Sequence, residues 1–573
     1  MSSALGKVLL FGGTALAATA AAFLTVGLLH LGQGAKPADA LEAQAGGPPV
    51  LRRLTQSQYV HAIGDIFGPD IKIGGRFDPD IRDSGLIEVG AGKVSVPASG
   101  LEQYGNMAHT IAAQLFDKQH RAEMIDCKPF SEAAPDDACA GRFLSQLGRL
   151  LYRRPLTKDE LDQLVTASNE ATKTVGNFYS GLELTVAGML QAPQFLFDWE
   201  RTEPDPDHRG QKRLDAYSRA ARLSFFLWDT TPDDELLTAA EKGDLDKPQG
   251  LAHQVDRLLA SPRLEAGMRA FFTDMLSFDA FNNLAKDPAI YPKYSYGLAV
   301  DAQEQTLRTI MYELLAKNGD YRDLFTTRET FLSRQLGAVY GLPIAKDAPD
   351  ATPDGWQFHR YPDGDEHTGI LSQISFVALH SHPGRSSSTL RGKAVREIVL
   401  CQKVPDPPGN VNFKVVQDTK NPLYKTARER LTAHRTEPTC AGCHKLIDPI
   451  GLSLENFDSL GGFRSTENGQ AIDASGELDG TKFTNAIGLG QAIHDHPATP
   501  VCLVDRIYSY ALGRTPTKSE AAWIRGDLVK DFAADGYRLA PLLKRIVTSE
   551  PFFRVIDSET APVRSASIEG GSK

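Results

Sequence analysis

The chain has 573 residues, of which 41% are hydrophobic and 23% are charged, and its formal net charge is −10. This is the composition of a globular protein, and the length is sufficient for about three or four domains. The negative charge argues against nucleic acid as the main partner. Six cysteines are too few in a chain of this length for a disulfide scaffold.

An uncharged, mostly apolar stretch runs from Val8 to Leu31, directly after the only early charge at Lys7. At about 24 residues it is long for a signal-peptide core and sufficient to span a bilayer. Small-x-small patterns at 38–40 and 43–45 are typical of cleavage sites. Residues 1–45 are therefore predicted to be a cleaved signal peptide, or a retained anchor that associates the protein with the membrane, together with a linker. Both alternatives place the rest of the chain in the periplasm or at the outer face of the cytoplasmic membrane. A buried core helix is the third alternative.

One helix-start pattern recurs along the chain. An arginine and a Leu or Pro precede a threonine, and Glu or Gln follows the threonine three residues later, which is a capping box. The pattern occurs as Thr55 with Gln58, Thr157 with Glu160, and Thr517 with Glu520. No fixed period separates the copies, so we interpret them as a recurring local motif and not as a repeat array.

The stretch 438–445 contains Cys440, Cys443 and His444, which spell C-x-x-C-H, the pattern for covalent attachment of a c-type haem. Residues three and four apart share one face of a helix, so both thiols and the imidazole can reach one porphyrin. The two sulfurs would bond the edge of the macrocycle, and His444 would be the proximal iron ligand. A zinc half-site or a thioredoxin-like pair is the alternative. The first needs further regularly spaced ligands and the second needs a βαβ unit, and the sequence shows neither.

The residues after the motif predict a haem pocket. Asp448-Pro449-Ile450-Gly451 is expected to be a turn that ends the haem-bearing helix, because proline lacks a donor and restricts its neighbour. Four apolar residues then follow that could wall a porphyrin: Leu452, Leu454, Phe457 and Leu460.

The sequence from Cys440 to Arg464 closely resembles the signature of the planctomycete-type cytochrome c domain proteins, which are large bacterial proteins built from adjoining domains of unknown function. A second stretch, from Arg219 to Leu237, is similar to a helical domain of that family. The resemblance implies a haem protein outside the cytoplasm and supplies no known reaction. An Arg-Thr-Ser-Pro sequence usually precedes the haem motif in the family, whereas here three serines follow Arg385. The resemblance therefore implies no role for those hydroxyls.

Further haem contacts are predicted upstream of the motif. Arg385 and Arg391 could bind the haem propionates, whose carboxylates suit a guanidinium fork, or they could be solvated or ion-paired. None of the seven methionines follows His444, so the distal iron ligand is not expected to be a methionine from the C-terminal side. His382 is the first alternative and His434 the second, since His434 lies close to the motif in sequence. Upstream methionines of the separate helical module are a weaker alternative, because such residues more often fill the core: Met268, Met275 and Met311. An open iron position is the third.

The histidine pairs His380/His382 and His494/His496 each lack a clear third ligand for any other metal site, so surface or helix-end histidines are their default interpretation.

The four cysteines outside the motif allow three pairings. We predict a Cys127–Cys139 disulfide across a polar loop and a Cys401–Cys502 disulfide that brackets the haem region. Buried free thiols are the alternative.

The patterns together predict a mainly α fold of several small helical domains in tandem, with a haem c-bearing helical segment and a minor β-hairpin within 470–485. The predicted domains are 50–120, 121–200 with the cysteine-framed loop, 210–343, 356–466 with the haem, and 486–556.

The expected function is that of an exported c-type cytochrome with one covalent haem that relays electrons to or from a redox partner. A haem enzyme with an open iron site is the first alternative, and a scaffold or polymer-binding protein with a structural or sensory haem is the second. Whether the protein is an enzyme therefore stays open in the sequence, as does its substrate.

Overall fold

The computed structural model describes residues 44–345, 352–406, 414–434 and 438–556, together with Glu42 and Thr436, and leaves the side chains of 438–440 undescribed. The predicted signal peptide or anchor, from Val8 to Leu31, lies outside these residues. Among the helices inside these ranges, none combines the length and the apolar character that crossing a bilayer requires.

Helices make up most of the described chain, which confirms the predicted mainly α fold. In chain order they are α1 (Gln56–Phe67), α2 (Ile87–Gly90), α3 (Ala98–Leu115), α4 (Lys118–Met124), α5 (Asp137–Leu151), α6 (Lys158–Val175), α7 (Phe178–Gln191), α8 (Pro193–Leu196), α9 (Ala216–Trp228), α10 (Asp234–Glu241), α11 (Pro248–Ala260), α12 (Arg263–Met275), α13 (Tyr296–Met311), α14 (Arg334–Tyr340), α15 (Ile374–Leu379), α16 (Ser388–Ala394), α17 (Lys414–Gln417), α18 (Ala427–His434), α19 (Pro438–Leu452), α20 (Ala486–His494), α21 (Ala498–Leu512), α22 (Lys518–Trp523), α23 (Val529–Ala534) and α24 (Leu539–Thr548).

The strands are short and antiparallel. They are β1 (Leu51–Arg53) with β2 (Phe197–Trp199); β3 (Thr202–Pro204) with β4 (Lys212–Leu214), which also pairs with β11 (Arg554–Val555); β5 (Glu329–Leu332) with β6 (Gln357–Arg360); β7 (Thr466–Glu467) with β8 (Gln470–Ala471); and β9 (Gly476–Leu478) with β10 (Thr481–Phe483). The β9–β10 hairpin, which turns at Asp479 and Gly480, is the one the sequence predicts within 470–485.

All three predicted capping boxes are present, at the starts of α1, α6 and α22. In the last two copies the preceding arginine also donates hydrogen bonds to the glutamate carboxylate from both terminal nitrogens. The distances are 2.8 and 2.6 Å from Arg154 to Glu160, and 2.7 and 2.8 Å from Arg514 to Glu520. Such bidentate charge-assisted bonds fix the entry angle of the chain into each helix.

Two hydrophobic cores organise the molecule. One is formed by α1, α3, α5 and α7, with Phe225 of α9 inserted from outside. The other joins side chains between Leu214 and Val555 with Ala45, Leu86 and Val89, and it includes Ile450, on the helix that carries the haem motif. The regions predicted as the third, fourth and fifth domains therefore share one continuous core, which holds the motif in a fixed position relative to the C-terminal helices.

Both predicted disulfides are present, with S–S distances of 1.97 Å for Cys127–Cys139 and 2.05 Å for Cys401–Cys502. The second bond joins the segment after α16 to helix α21, across 101 positions of sequence. Disulfides of this kind persist in oxidising compartments and are rare in the cytosol.

Helices α16 and α19 cross closely at two glycines. A Cβ at Gly392 would collide with the Ile447 carbonyl, and one at Gly451 would collide with the Ser388 carbonyl. Only hydrogen fits at these positions, so the backbones approach more closely than larger side chains would allow. This crossing brings the side chains of α16 against the face of α19 that carries the haem motif.

Candidate haem site

Helix α19 carries Cys440, Cys443 and His444, as the motif predicts. Cys443 is a free, partly exposed thiol, whereas the side chain of Cys440 is outside the described residues. The His444 side chain is 14% exposed. One thiol and the imidazole therefore lie on adjacent residues of this helix, and both keep part of their surface exposed.

The His444 ring is held by a carboxylate one turn further along the helix. Its Nδ1 lies 2.9 Å from Oδ2 and 3.0 Å from Oδ1 of Asp448, whose side chain is fully buried. The Thr389 hydroxyl on α16 donates to the same carboxylate at 3.0 Å. Histidines that ligate metals usually donate their second N–H to such a group, which fixes the tautomer and leaves the other nitrogen for the metal. The donor set of this chain therefore fits a haem iron at Nε2 of His444.

The role of Asp448 was not predicted from the sequence. The sequence predicted that Asp448 to Gly451 would form a turn, but the helix continues to Leu452 with Pro449 inside it, so that prediction is wrong. Packing against α16 and the bonds of Asp448 outweigh the loss of one backbone donor at the proline. The His-x-x-x-Asp spacing was the available signal, because residues four apart face each other only if the helix continues.

The predicted porphyrin wall is also placed differently. Leu454, Phe457 and Leu460 are 4% exposed or less and belong to the large protein core, and Leu452 is buried as well. The backbone after α19 runs along α15 and α16, because the Leu454 and Phe457 carbonyls accept from Arg391 and Gly461 meets Ile374. The apolar residue of α19 that does face outward is Leu446, which is 49% exposed.

The structure separates the two candidate distal histidines. The ring centroid of His434, at the end of α18, lies 4.9 Å from that of His444, and the rings are almost perpendicular. His382 lies on the loop after α15, where its N–H donates to the Arg385 carbonyl and its own carbonyl accepts from Ser459. No hydrogen bond or ring contact joins His382 to His444 among the described residues. Of the two, it is thus His434, which sequence proximity disfavoured, that lies beside the motif.

The other three histidines of the two His-x-His pairs make local contacts. His380 packs edge-on against Phe376, and burial lowers its pKa to about 3. His494 pairs with Asp495 and Asp323, while His496 pairs with Asp479. Within the described ranges, no group of three or more His, Cys, Asp or Glu side chains is arranged to hold a metal ion.

The Arg391 side chain has a structural role in the protein interior. It is fully buried, and its two terminal nitrogens donate to the carbonyls of Leu454, Phe457, Val377 and Asp458 and to the Ser381 hydroxyl. Burial lowers its pKa to about 10. It could not reach a propionate without breaking these bonds, so the predicted propionate contact conflicts with this arrangement.

Arg385 differs from Arg391 in having an uncommitted guanidinium. Its side chain makes no hydrogen bond or ion pair within the described part of the chain. Burial and the nearby positive charge of Arg430 lower its pKa, against the opposing influence of Glu455. An anionic group placed beside Arg385 would stabilise the charged form of its guanidinium.

The three serines after Arg385 have structural partners. Ser386 and Ser388 both donate to the buried carboxylate of Glu455 at 2.7 Å, and Ser387 caps α16. Burial alone would raise the pKa of Glu455, but Arg391, Arg464 and these hydroxyls outweigh burial and hold it below its ordinary value. The serines therefore join α16 to the segment after the haem helix.

Five family models match the chain one after another. Each is described as a protein of unknown function: DUF1587 at residues 52–117, DUF1595 at 139–200, DUF1592 at 214–342, DUF1588 at 367–467 and DUF1585 at 479–552. This tandem order defines the class, a mainly helical protein built from adjoining domains of unknown function. The chain belongs to the family of planctomycete-type cytochrome c domain proteins. Comparisons with curated proteins and with solved structures find no match.

Proposed function

We propose that this protein is an exported cytochrome that binds one haem c through Cys440 and Cys443, with His444 as proximal ligand, and exchanges electrons with a partner protein. The observation that carries the proposal is the buried Asp448 carboxylate at 2.9 Å from His444 Nδ1. A surface histidine needs no such partner. A metal-binding histidine gains a fixed orientation and greater basicity from one.

Each of four residues would have a different role at this site. Asp448 orients the imidazole, and Thr389 holds Asp448. Arg385 offers a positive charge to a haem propionate, whereas Arg391 ties the surrounding backbone together. The haem, when bound, supplies reversible one-electron chemistry at its iron.

Two features support location outside the cytoplasm. The two disulfides are typical of an oxidising compartment. The family to which the chain belongs suggests an exported protein. The apolar stretch from Val8 to Leu31 would deliver the chain to the periplasm or hold it at the outer face of the membrane.

A haem enzyme is the second candidate, and the same carboxylate favours it. A histidine with strong anionic character donates more electron density to iron, which favours the ferric state and chemistry on bound peroxide. Arg385, whose side chain has no partner among the described residues, would then serve as a polar distal group. This reading requires an open iron position, whereas electron transfer is favoured by two protein ligands.

Optical spectra of the purified full-length protein, oxidised and reduced, with and without cyanide or carbon monoxide, test both candidates. A haem that resists acid–organic extraction and binds neither ligand supports electron transfer. A covalent haem that binds cyanide supports the enzyme. A protein purified from a host with haem-attachment machinery that carries no covalent haem would refute both.

A further inference from the structure

A cavity of about 560 Å³ lies between several segments of the chain, away from the haem motif. Its walls come from the first half of α1, from α2, from α12 with the 3₁₀ turn Phe278–Asn283 that follows it, and from single residues of α13 and α21. This volume is within the range of small-molecule sites, which often occur between domains.

A histidine held by a buried aspartate lies in the wall of this cavity. His61 Nδ1 is 2.9 Å from Oδ2 of Asp229, a residue with a φ of 56° at the end of α9 and a side chain that is 1% exposed. The Ser57 hydroxyl donates to the same carboxylate. The His61 side chain is 42% exposed, and its Nε2 bonds to no other group in the described part of the chain. Nδ1 is therefore fixed and Nε2 is free for a ligand.

The charged groups around the cavity are already paired with one another. Arg52 contacts Glu88, Arg82 contacts Asp274 and Asp279, Arg53 contacts Asp80, and Arg269 contacts Glu304. A charged ligand would have to compete with these internal partners. The cavity is thus poorly suited to an anion such as a phosphate, and an amine would have to displace arginines from the carboxylates.

The lining groups that lack partners are neutral. The side chains of Gln56, Thr273 and Asn282 and the Tyr510 hydroxyl make no hydrogen bond to other described residues. Burial raises the pKa of Tyr510 well above its ordinary value, and Asp229 and Glu88 raise it further, so the hydroxyl keeps its proton. Val60, Ile87 and Phe278 provide apolar surface between these groups.

We propose that this cavity binds a neutral saccharide, with His61 Nε2 and the unpaired hydroxyl and amide groups bonded to sugar hydroxyls. A saccharide carries both donor and acceptor at each hydroxyl and presents C–H faces to apolar side chains. It requires no charge from the protein. No group of the haem motif takes part, so the site stands independently of the proposed electron transfer.

Saturation-transfer NMR on the full-length, haem-loaded protein tests the proposal, with glucose, galactose, maltose and cellobiose as probes. At least one sugar should bind. His61→Gln and Asn282→Ala should each weaken its binding by about three- to tenfold, which corresponds to one lost neutral hydrogen bond. Asn283→Ala is the matched control, because this neighbour is exposed but does not line the cavity. Both altered side chains are at least partly exposed, so the variants should fold, and circular dichroism would verify this.

Three results would overturn the proposal. The first is that no probe binds at high millimolar concentration. The second is that a sugar binds with equal affinity to wild type, His61→Gln and Asn282→Ala. The third is that acetate or ethylammonium binds in place of the sugars and that Asn282→Ala weakens this binding, which would identify a charged ligand.

Discussion

The haem segment and the inter-domain cavity each hold a histidine against a buried aspartate. His444 and Asp448 lie four residues apart on one helix, whereas His61 and Asp229 are 168 positions apart in sequence. The distance from Nδ1 to the nearest carboxylate oxygen is 2.9 Å in both pairs. A hydroxyl also donates to each carboxylate, from Thr389 in one case and from Ser57 in the other.

The two pairs differ in enclosure. The His444 side chain is 14% exposed and that of His61 is 42% exposed, although both aspartates are buried. Electrostatic interactions are stronger where water is excluded, so Asp448 should influence its histidine more than Asp229 influences His61. The same two side chains thus form an enclosed pair at His444 and a more open pair at His61, whose Nε2 bonds to no other group in the described part of the chain.

The largest expected effect is on the covalent attachment of haem. Replacing Cys440 and Cys443 with serine should abolish covalent haem, because no other C-x-x-C-H thiols exist in the sequence. The measurement is the haem retained after acid–organic extraction, which should be one per wild-type chain and zero in the variant. Sugar binding at the cavity should remain unchanged. Free extraction of the wild-type haem would contradict the assignment.

Asp448→Asn should raise the reduction potential of the haem by about 60–120 mV, because the neutral amide makes His444 a weaker donor. This range corresponds to the 10- to 100-fold effects typical of residues behind a metal ligand. A spectroelectrochemical titration measures the change. Asp117→Asn is the control, since Asp117 contacts the partly exposed His120 at 2.8 Å in the same manner. Equal potentials for wild type and Asp448→Asn would contradict the proposed role.

Thr389→Val should also raise the reduction potential of the haem, but by less than Asp448→Asn does. It removes one of the hydrogen bonds to Asp448 and should lower the free energy of unfolding by about 1–2 kcal/mol. Denaturant titration and the reduction potential would both be measured. Thr389→Ser keeps the hydroxyl and should restore both values. A serine variant that behaves like valine would show that only packing is involved.

The smallest effect is expected from His61. Its hydrogen bond to Asp229 raises its pKa, against the opposing effect of burial. Because the folded pKa lies above the ordinary value of about 6.5, this contribution is present below that pH and is lost as pH rises through the folded pKa. His61→Gln should therefore lower the melting temperature slightly at about pH 6 and not at about pH 8.5.

His109→Gln, at an exposed position of α3, is the control for this measurement. A destabilisation by His61→Gln that is the same at both pH values would show that the ion pair contributes nothing and that only packing was lost.

Several local features were predictable from the sequence because short-range chemistry determines them. Thr55, Thr157 and Thr517 start helices because each is followed at the right distance by a residue that completes the capping box. The Cys127–Cys139 bond closes a short loop whose ends have little choice of partner. The haem motif itself is a spacing on one helix, and the tandem helical architecture follows from periodicity.

Tertiary packing decided the remaining features. Helix α19 continues through Pro449 because two glycines let it lie against α16, and only this continuation brings Asp448 to His444. Arg391 and Arg385 look alike in sequence, yet one is saturated by backbone carbonyls and the other has no partner among the described residues. The pairing of His61 with Asp229 depends on two elements that meet only in the folded chain. Local spacing encodes contacts within one helix, but contacts between distant elements depend on how all the elements pack together.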